Sequence, residues 1–376
     1  MTLPQNLPEI VAADVSGPEP LRFPLEWIIT NGSPPVQYRA IKSVAMLADA
    51  AERLPSIPLA YFPGLRLAVS QRIDGTWNGS MLEIPSDGAR KLDDAIGTIP
   101  AVHRLLELGY DPDFPPFLVA RRTLFRLLAE DNDPAYLFEL GARGTGADYR
   151  RYGRRRLREA AAAALARLGY ESDPRLRGCA NRMVQRVRDF LQSPLAEDPW
   201  VRIGNKHAIS PDATPPSVSL LVMLAHMPLY RHENHEFLKE LREYLIRPVG
   251  QKEVQQQVGD ALLPQPQLVL GDPLTGRSAP TGDVATTLFW LETLARLGLM
   301  QTHEAWGQAY ELVVRGCDRD GIWRASRGGP PRAPSLCEAW AMYPLDARRD
   351  ADAVSAEVTT RLGIIARAAG REVELA

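Results

Sequence analysis

The sequence predicts an all-α fold built of helical-hairpin repeats. Three observations carry this. A helix-ending segment recurs as Leu105-Leu-Glu-Leu-Gly109, Leu165-Ala-Arg-Leu-Gly169 and Leu294-Ala-Arg-Leu-Gly298, with Leu224-Ala-His-Met-Pro228 as a worn copy. An Asp-Gly-x-Trp turn follows a helical pattern twice, in Gln71-Arg-Ile-Asp-Gly-Thr-Trp77 and in Arg315-Gly-Cys-Asp-Arg-Asp-Gly-Ile-Trp323. No stretch of any length alternates apolar and polar residues as a half-buried strand does.

Taken in order, residues 1–34 are Pro-rich and aperiodic, which predicts an extended surface arm before a single domain over 35–376. From Gln37 the apolar positions Ile41, Val44, Ala45, Leu47 and Ala48 keep helical spacing until Pro55 and Pro58 break it. A second helix, from about Pro63, runs into the first Trp turn. There Gly75 supplies the positive φ that ends a helix, Asp74 can bond local backbone, and Trp77 folds back as an apolar plug. Each Leu-x-x-Leu-Gly helix stops at Gly or Pro and precedes a second helix, at about 115–130, 174–192, 232–247 and 302–315. The stops at Gly109, Gly169 and Pro228 lie about 60 residues apart, room for two helices and their turns. The gap to Gly298 is longer because a Gln- and Pro-rich loop, 249–282, is inserted. Gln192 to Trp200 reads as a degraded third Trp turn. Asp320, Gly321 and Trp323 repeat the plug, Pro334–Leu345 gives a last inner helix, and 352–370 a terminal one.

Composition narrows the function classes. The 376 residues are 45% apolar and 24% charged with a net charge of −2, so no global field draws the chain to nucleic acid or an anionic membrane. Cys179, Cys317 and Cys337 share no metal or redox spacing, which predicts reduced thiols in a cytoplasmic protein. The first residues lack the basic and apolar regions of a secretory leader, and no apolar run approaches the roughly 18–20 residues of a membrane span. Without a Gly-rich phosphate loop or a Gly-x-Ser-x-Gly turn, hydride transfer, kinase and hydrolase chemistry of those types are disfavoured, and no cofactor is expected.

Gln71-x-x-Asp-Gly-x-Trp77 resembles the Gln-Trp motif of the squalene/terpene cyclase and protein prenyltransferase β-subunit superfamily. The stretches from Asp283 to Gly298 and from Ala333 to Tyr343 are similar to the inner helices that follow such motifs. The resemblance spans about 36–346 and implies an α/α toroid, inner and outer helices alternating around an apolar cavity. It also implies apparatus that this chain lacks. One carboxylate, Asp283, stands where a cyclase carries an Asp-x-Asp-Asp acid. Ala285 takes the place of a zinc-binding Cys, and Ser335 or Leu336 that of the His, so no metal is expected.

Asp283 is the candidate catalytic residue, as acid or charge stabiliser; its other reading is a first-turn carboxylate favoured by the helix dipole. Phe289, Trp290, Trp340 and Tyr343 lie on inner helices, either as an aromatic cavity wall that stabilises cations or as ordinary core. His103 and His226 occupy comparable positions and face either cavity or core. His232 and His235 have a metal-like i, i+3 spacing but no third ligand nearby, and Asp131-Asn-Asp133 before Pro134 reads as a loop cap. Tyr149–Arg158 holds six arginines in ten residues. Of these, Arg154, Arg155 and Arg158 either grip a diphosphate or nucleic-acid backbone or form a solvated face paired with Asp148 and Glu159. The resemblance implies cyclisation or prenyl transfer on an isoprenoid-type ligand. The alternative is a non-catalytic helical-repeat scaffold that binds a protein partner or ligand, or nucleic acid through its arginines. An enzyme needs a closed pocket of roughly several hundred Å3 with convergent polar groups; a scaffold has a filled centre and a charged or apolar outer patch.

Overall fold

The structure, a computed structural model, describes residues 19–47, 49, 53–85, 96–129, 146–248, 254–274, 284–325, 330–334 and 336–376. The helix stops fall where the glycines put them. Gly109, Gly169 and Gly298 have φ of +93°, +84° and +73°, the left-handed conformation that ends a helix without a Cβ clash. They close α4 (Thr98–Glu107), α6 (Ala147–Arg167) and α11 (Val284–Arg296). The partner helices α5 (Pro115–Leu128) and α7 (Pro174–Leu191) start on prolines, whose missing N–H costs nothing at that position. Asp173 caps α7 and Ser217 caps α8 (Val218–Ala225), each accepting a backbone N–H of the first turn.

α4 packs on α6, α6 on α8, α8 on α11, α11 on α13 (Cys337–Met342), and α13 returns to α4. α3 (Phe62–Val69) lies against α4, α5 and α7 against α6, α9 (Pro228–Glu233) against α8, α10 (His235–Leu245) against α7, and α12 (Glu304–Val314) against α11. α14 (Ala351–Ala368) is buried all round from Ala353 to Ala366 and packs on α11, on α1 (Leu25–Asn31) and on α2 (Pro34–Arg39). Among the described residues no helix is long and apolar enough to cross a membrane.

The all-α expectation is wrong: the fold mixes helices with two sheets. β1 (Leu21–Phe23) pairs in parallel with β6 (Val373–Leu375), joining the two ends of the described chain. Phe23 and Ile28 are fully buried, so this part of the predicted arm is core rather than surface. β2 (Trp200–Ile203), β3 (Lys206–Ile209), β4 (Gln255–Val258) and β5 (Ala261–Pro264) form a four-stranded mixed sheet in that order. Two antiparallel hairpins meet in parallel at Ile209 and Gln256. β4 and β5 fall in the segment expected to be an inserted loop, and Trp200 opens a strand instead of plugging a third turn. Each strand has four residues and buries two of them at most, none in β2 and β5, too few for an alternating pattern to register. The signal was in the turns. Gly204-Asn205 and Gly259-Asp260 are two-residue hairpin loops with φ of +59° and +58° at the glycines.

Candidate functional site

The Trp turns are structural. Trp77 is 1% exposed, donates Nε1–H to the Leu67 carbonyl at 2.7 Å and its backbone N–H to Thr98 Oγ1. Asp74 accepts from the Thr76 N–H and hydroxyl, Gly75 has φ +83°, and Gln71 donates to the carbonyls of Gly75 and Pro116. The second turn repeats the plan: Trp323 is buried, its N–H donates to Thr359 Oγ1, and Gly321 again has φ +83°. One assignment changes. Asp318, not Asp320, braces this loop, accepting from the N–H groups of Asp320 and Ile322 and from Arg324.

Where an apolar hollow was expected, the middle of the helix ring is closed by charge. α13 and the turn after it touch α4, α8, α11 and α14. Arg104 donates to the carbonyls of Trp340, Ala341 and Pro344 and lies over the Trp340 ring, 5.0 Å from its centroid. Ser219 donates to Glu338, Arg361 to the Met342 carbonyl, and the Leu345 N–H to Glu357. Glu107 accepts Arg39 at 2.8 Å and is paired with Arg167 and Arg361; Glu292 is 2.8 Å from both Arg296 and Arg361. Burial opposes ionisation of Glu107, but Arg361, Arg39 and Arg167 outweigh it and hold its carboxyl well below the usual range. Glu357 goes the other way: burial raises it, its hydrogen bonds only partly compensating. Among the described residues a void at the centre, lined by Glu107, Arg167, His226, Glu292, Arg296 and Glu338 among others, measures about 10 Å3, roughly one water.

The predicted cavity wall is packed core. Phe289 and Trp290 are buried edge to face, 5.1 Å apart, and Trp340 and Tyr343 are covered by Arg104 and Arg349. His103 is fully buried; burial and then Arg167, whose Nη1 lies 3.2 Å from His103 Nδ1, keep it neutral. His226 borders the small void and is likewise held well below its ordinary pKa by burial, then by Arg167 and Arg296. Asp283 and the Asp131–Asp133 pair lie outside the described residues. His235 is exposed beside Glu236, and among the described residues no three metal-ligating side chains gather.

An open groove of about 830 Å3 does exist, at the periphery. Arg151, Arg155 and Arg158 project into it from α6, spaced four and three residues apart and therefore on one helix face. Arg182 and Arg186 enter from α7, and Gln256 to Gly259 of the β4 hairpin form a third wall. Asp148 and Asp212 are the carboxylates in its lining. Arg155 reaches Gln256 at 3.5 Å, Arg158 donates to the Ala129 carbonyl at 3.3 Å, and Arg186 pairs with Glu159 at 3.3 Å. Burial lowers the pKa of Arg155, with Glu159 opposing it, so the guanidinium is partly stripped of water while staying charged. Of the predicted arginines Arg155 and Arg158 line the groove, and Arg154 is half-buried on the same helix outside it. Sequence reading missed Arg182 and Arg186, whose i, i+4 spacing in α7 was a legible signal. Compared with family models, curated proteins and solved structures, the chain matches none.

Proposed function

We propose that this chain is a non-catalytic helical scaffold that holds a phosphate-bearing ligand in the groove between α6, α7 and the four-stranded sheet. The observation that carries the reading is a division of space. The centre is filled by the chain's own charged network around a void of about 10 Å3, while the open groove has five arginines against two aspartates. Guanidinium groups bind phosphate oxygens through paired, charge-assisted hydrogen bonds, and a partly desolvated one such as Arg155 binds them more strongly than a fully hydrated one. An isoprenoid ligand needs an apolar cavity, and the void described at the centre would not admit one.

Calorimetric titration with inorganic tripolyphosphate tests the reading. Saturable binding is expected, weakened at least tenfold in Arg151→Gln/Arg155→Gln with the melting temperature retained. No binding by the folded wild type, or equal affinity in the variant, would overturn it.

A further inference from the structure

The basic surface does not end at this groove. A second one, about 620 Å3, is lined by Arg121, Arg122, Phe125 and Arg126 of α5 and by Tyr170, Asp173 and Arg175 at the turn into α7. Arg122 and Arg126 are exposed, whereas Arg175 is held by Asp173. Two side chains of the first groove lie against helices that also line the second, α5 and α7. Arg158 donates to the carbonyl of Ala129 at the end of α5, and Arg182 folds back along α7, its Nη1 3.8 Å from where a Cβ on Gly178 would stand. Over 115–129 and 146–192 the chain has fifteen arginines, no lysine and five carboxylates, although the whole protein is slightly acidic. The positive charge is concentrated on α5, α6 and α7.

Building on the phosphate reading of the groove, we infer that the ligand is a nucleic-acid duplex gripped by its sugar–phosphate backbone along α5–α7. Position 175 to position 186 spans about 16 Å of α7 at about 1.5 Å per residue, or about five base-pair steps at about 3.4 Å each. A free phosphate would occupy a fraction of that. A single strand is disfavoured because binding it relies on exposed aromatic platforms. Here Phe125, Tyr149 and Tyr152 are buried, and Tyr170 is engaged by Arg121. An acidic protein partner is disfavoured because interface centres are built from exposed aromatic or aliphatic anchors, and among the described residues neither groove exposes a large apolar side chain. Among the described residues no element stands out to enter a groove of the duplex, so contact is to the backbone and indifferent to sequence.

Fluorescence anisotropy of the full chain with a labelled 20-base-pair duplex tests this, alongside the corresponding single strand, poly-glutamate and the tripolyphosphate titration. The duplex should bind at least tenfold more tightly than the single strand. The slope of log K against log salt should be about −4, the value for four to five neutralised phosphates. Arg122→Gln/Arg126→Gln, in the second groove only, should flatten that slope from about −4 to about −2 and leave tripolyphosphate binding intact. Tripolyphosphate binding without preference for duplex would overturn the duplex assignment and leave the groove reading standing. Failure of both ligands would remove both. Equal binding of the single strand or of poly-glutamate would also overturn the duplex assignment.

Discussion

Glu107 and Arg155 sit on neighbouring helices, α4 and α6, and each belongs to an arginine-rich cluster, yet the two clusters obey opposite rules. Inside the ring Arg39, Arg167, Arg296 and Arg361 pair with Glu107 and Glu292, and backbone carbonyls accept further donors of Arg104 and Arg361. On the outside Arg151, Arg155, Arg158, Arg182 and Arg186 outnumber their carboxylates. A buried charge must be compensated locally because desolvation costs several kcal/mol per ion. A charge nearer the surface keeps much of its water, Arg155 less than its neighbours, so a surplus persists there and is open to an outside anion. The comparison teaches that the count of arginines says little; their carboxylate balance separates architecture from a binding surface.

The sharpest way to break this contrast is Arg361→Met, which strands Glu107 and Glu292 without a shared partner. It should cost about 3–5 kcal/mol in urea denaturation; a loss below about 1 kcal/mol would mean the network is not what holds the centre. The pH dependence comes next. His103 and His226 have folded pKa values below the unfolded value of 6.5, so below that pH the unfolded chain takes up protons the folded one refuses. Their stabilising contribution is complete above pH 6.5 and falls as pH drops toward the folded values. Stability should therefore fall from pH 7.5 to 5.5, and His103→Gln, which keeps an acceptor for Arg167, should make that fall smaller. Gly75→Ala is smaller. With φ +83° and a Cβ position 2.8 Å from Val119 Cγ1, it should cost about 1–2 kcal/mol by thermal melting and test whether the Trp turn is rigid. The smallest effect belongs to the outer face: Arg122→Gln should change stability by about 0.5 kcal/mol or less, and a larger loss would show that this face is structural after all.

Much of the helical frame was written locally. A glycine that must adopt positive φ marks a helix end whatever surrounds it, so Gly109, Gly169 and Gly298 were legible, as were both Trp plugs and the arginine stripe of α6. The four-residue strands were not, since each presents too few buried side chains to show a period. The exchange of Asp320 for Asp318 was also invisible, because both carboxylates can bond the same loop and only its folded path selects one.

The central network marks the boundary most clearly. Glu292 is the single charge between Asp283 and Arg296, in a mostly apolar run, which hints at burial but names no partner. Sequence by itself determined the helix stops, the Trp-plugged turns and the basic face, all set by backbone conformation or helical spacing over a few residues. Contacts across the fold settled that Arg39, Glu107, Glu292 and Arg361 meet, that α13 closes the ring between α11 and α4, and that two hairpins join into one sheet. Those contacts link positions tens to hundreds of residues apart, and the low dielectric that makes them obligatory exists only once the ring has closed.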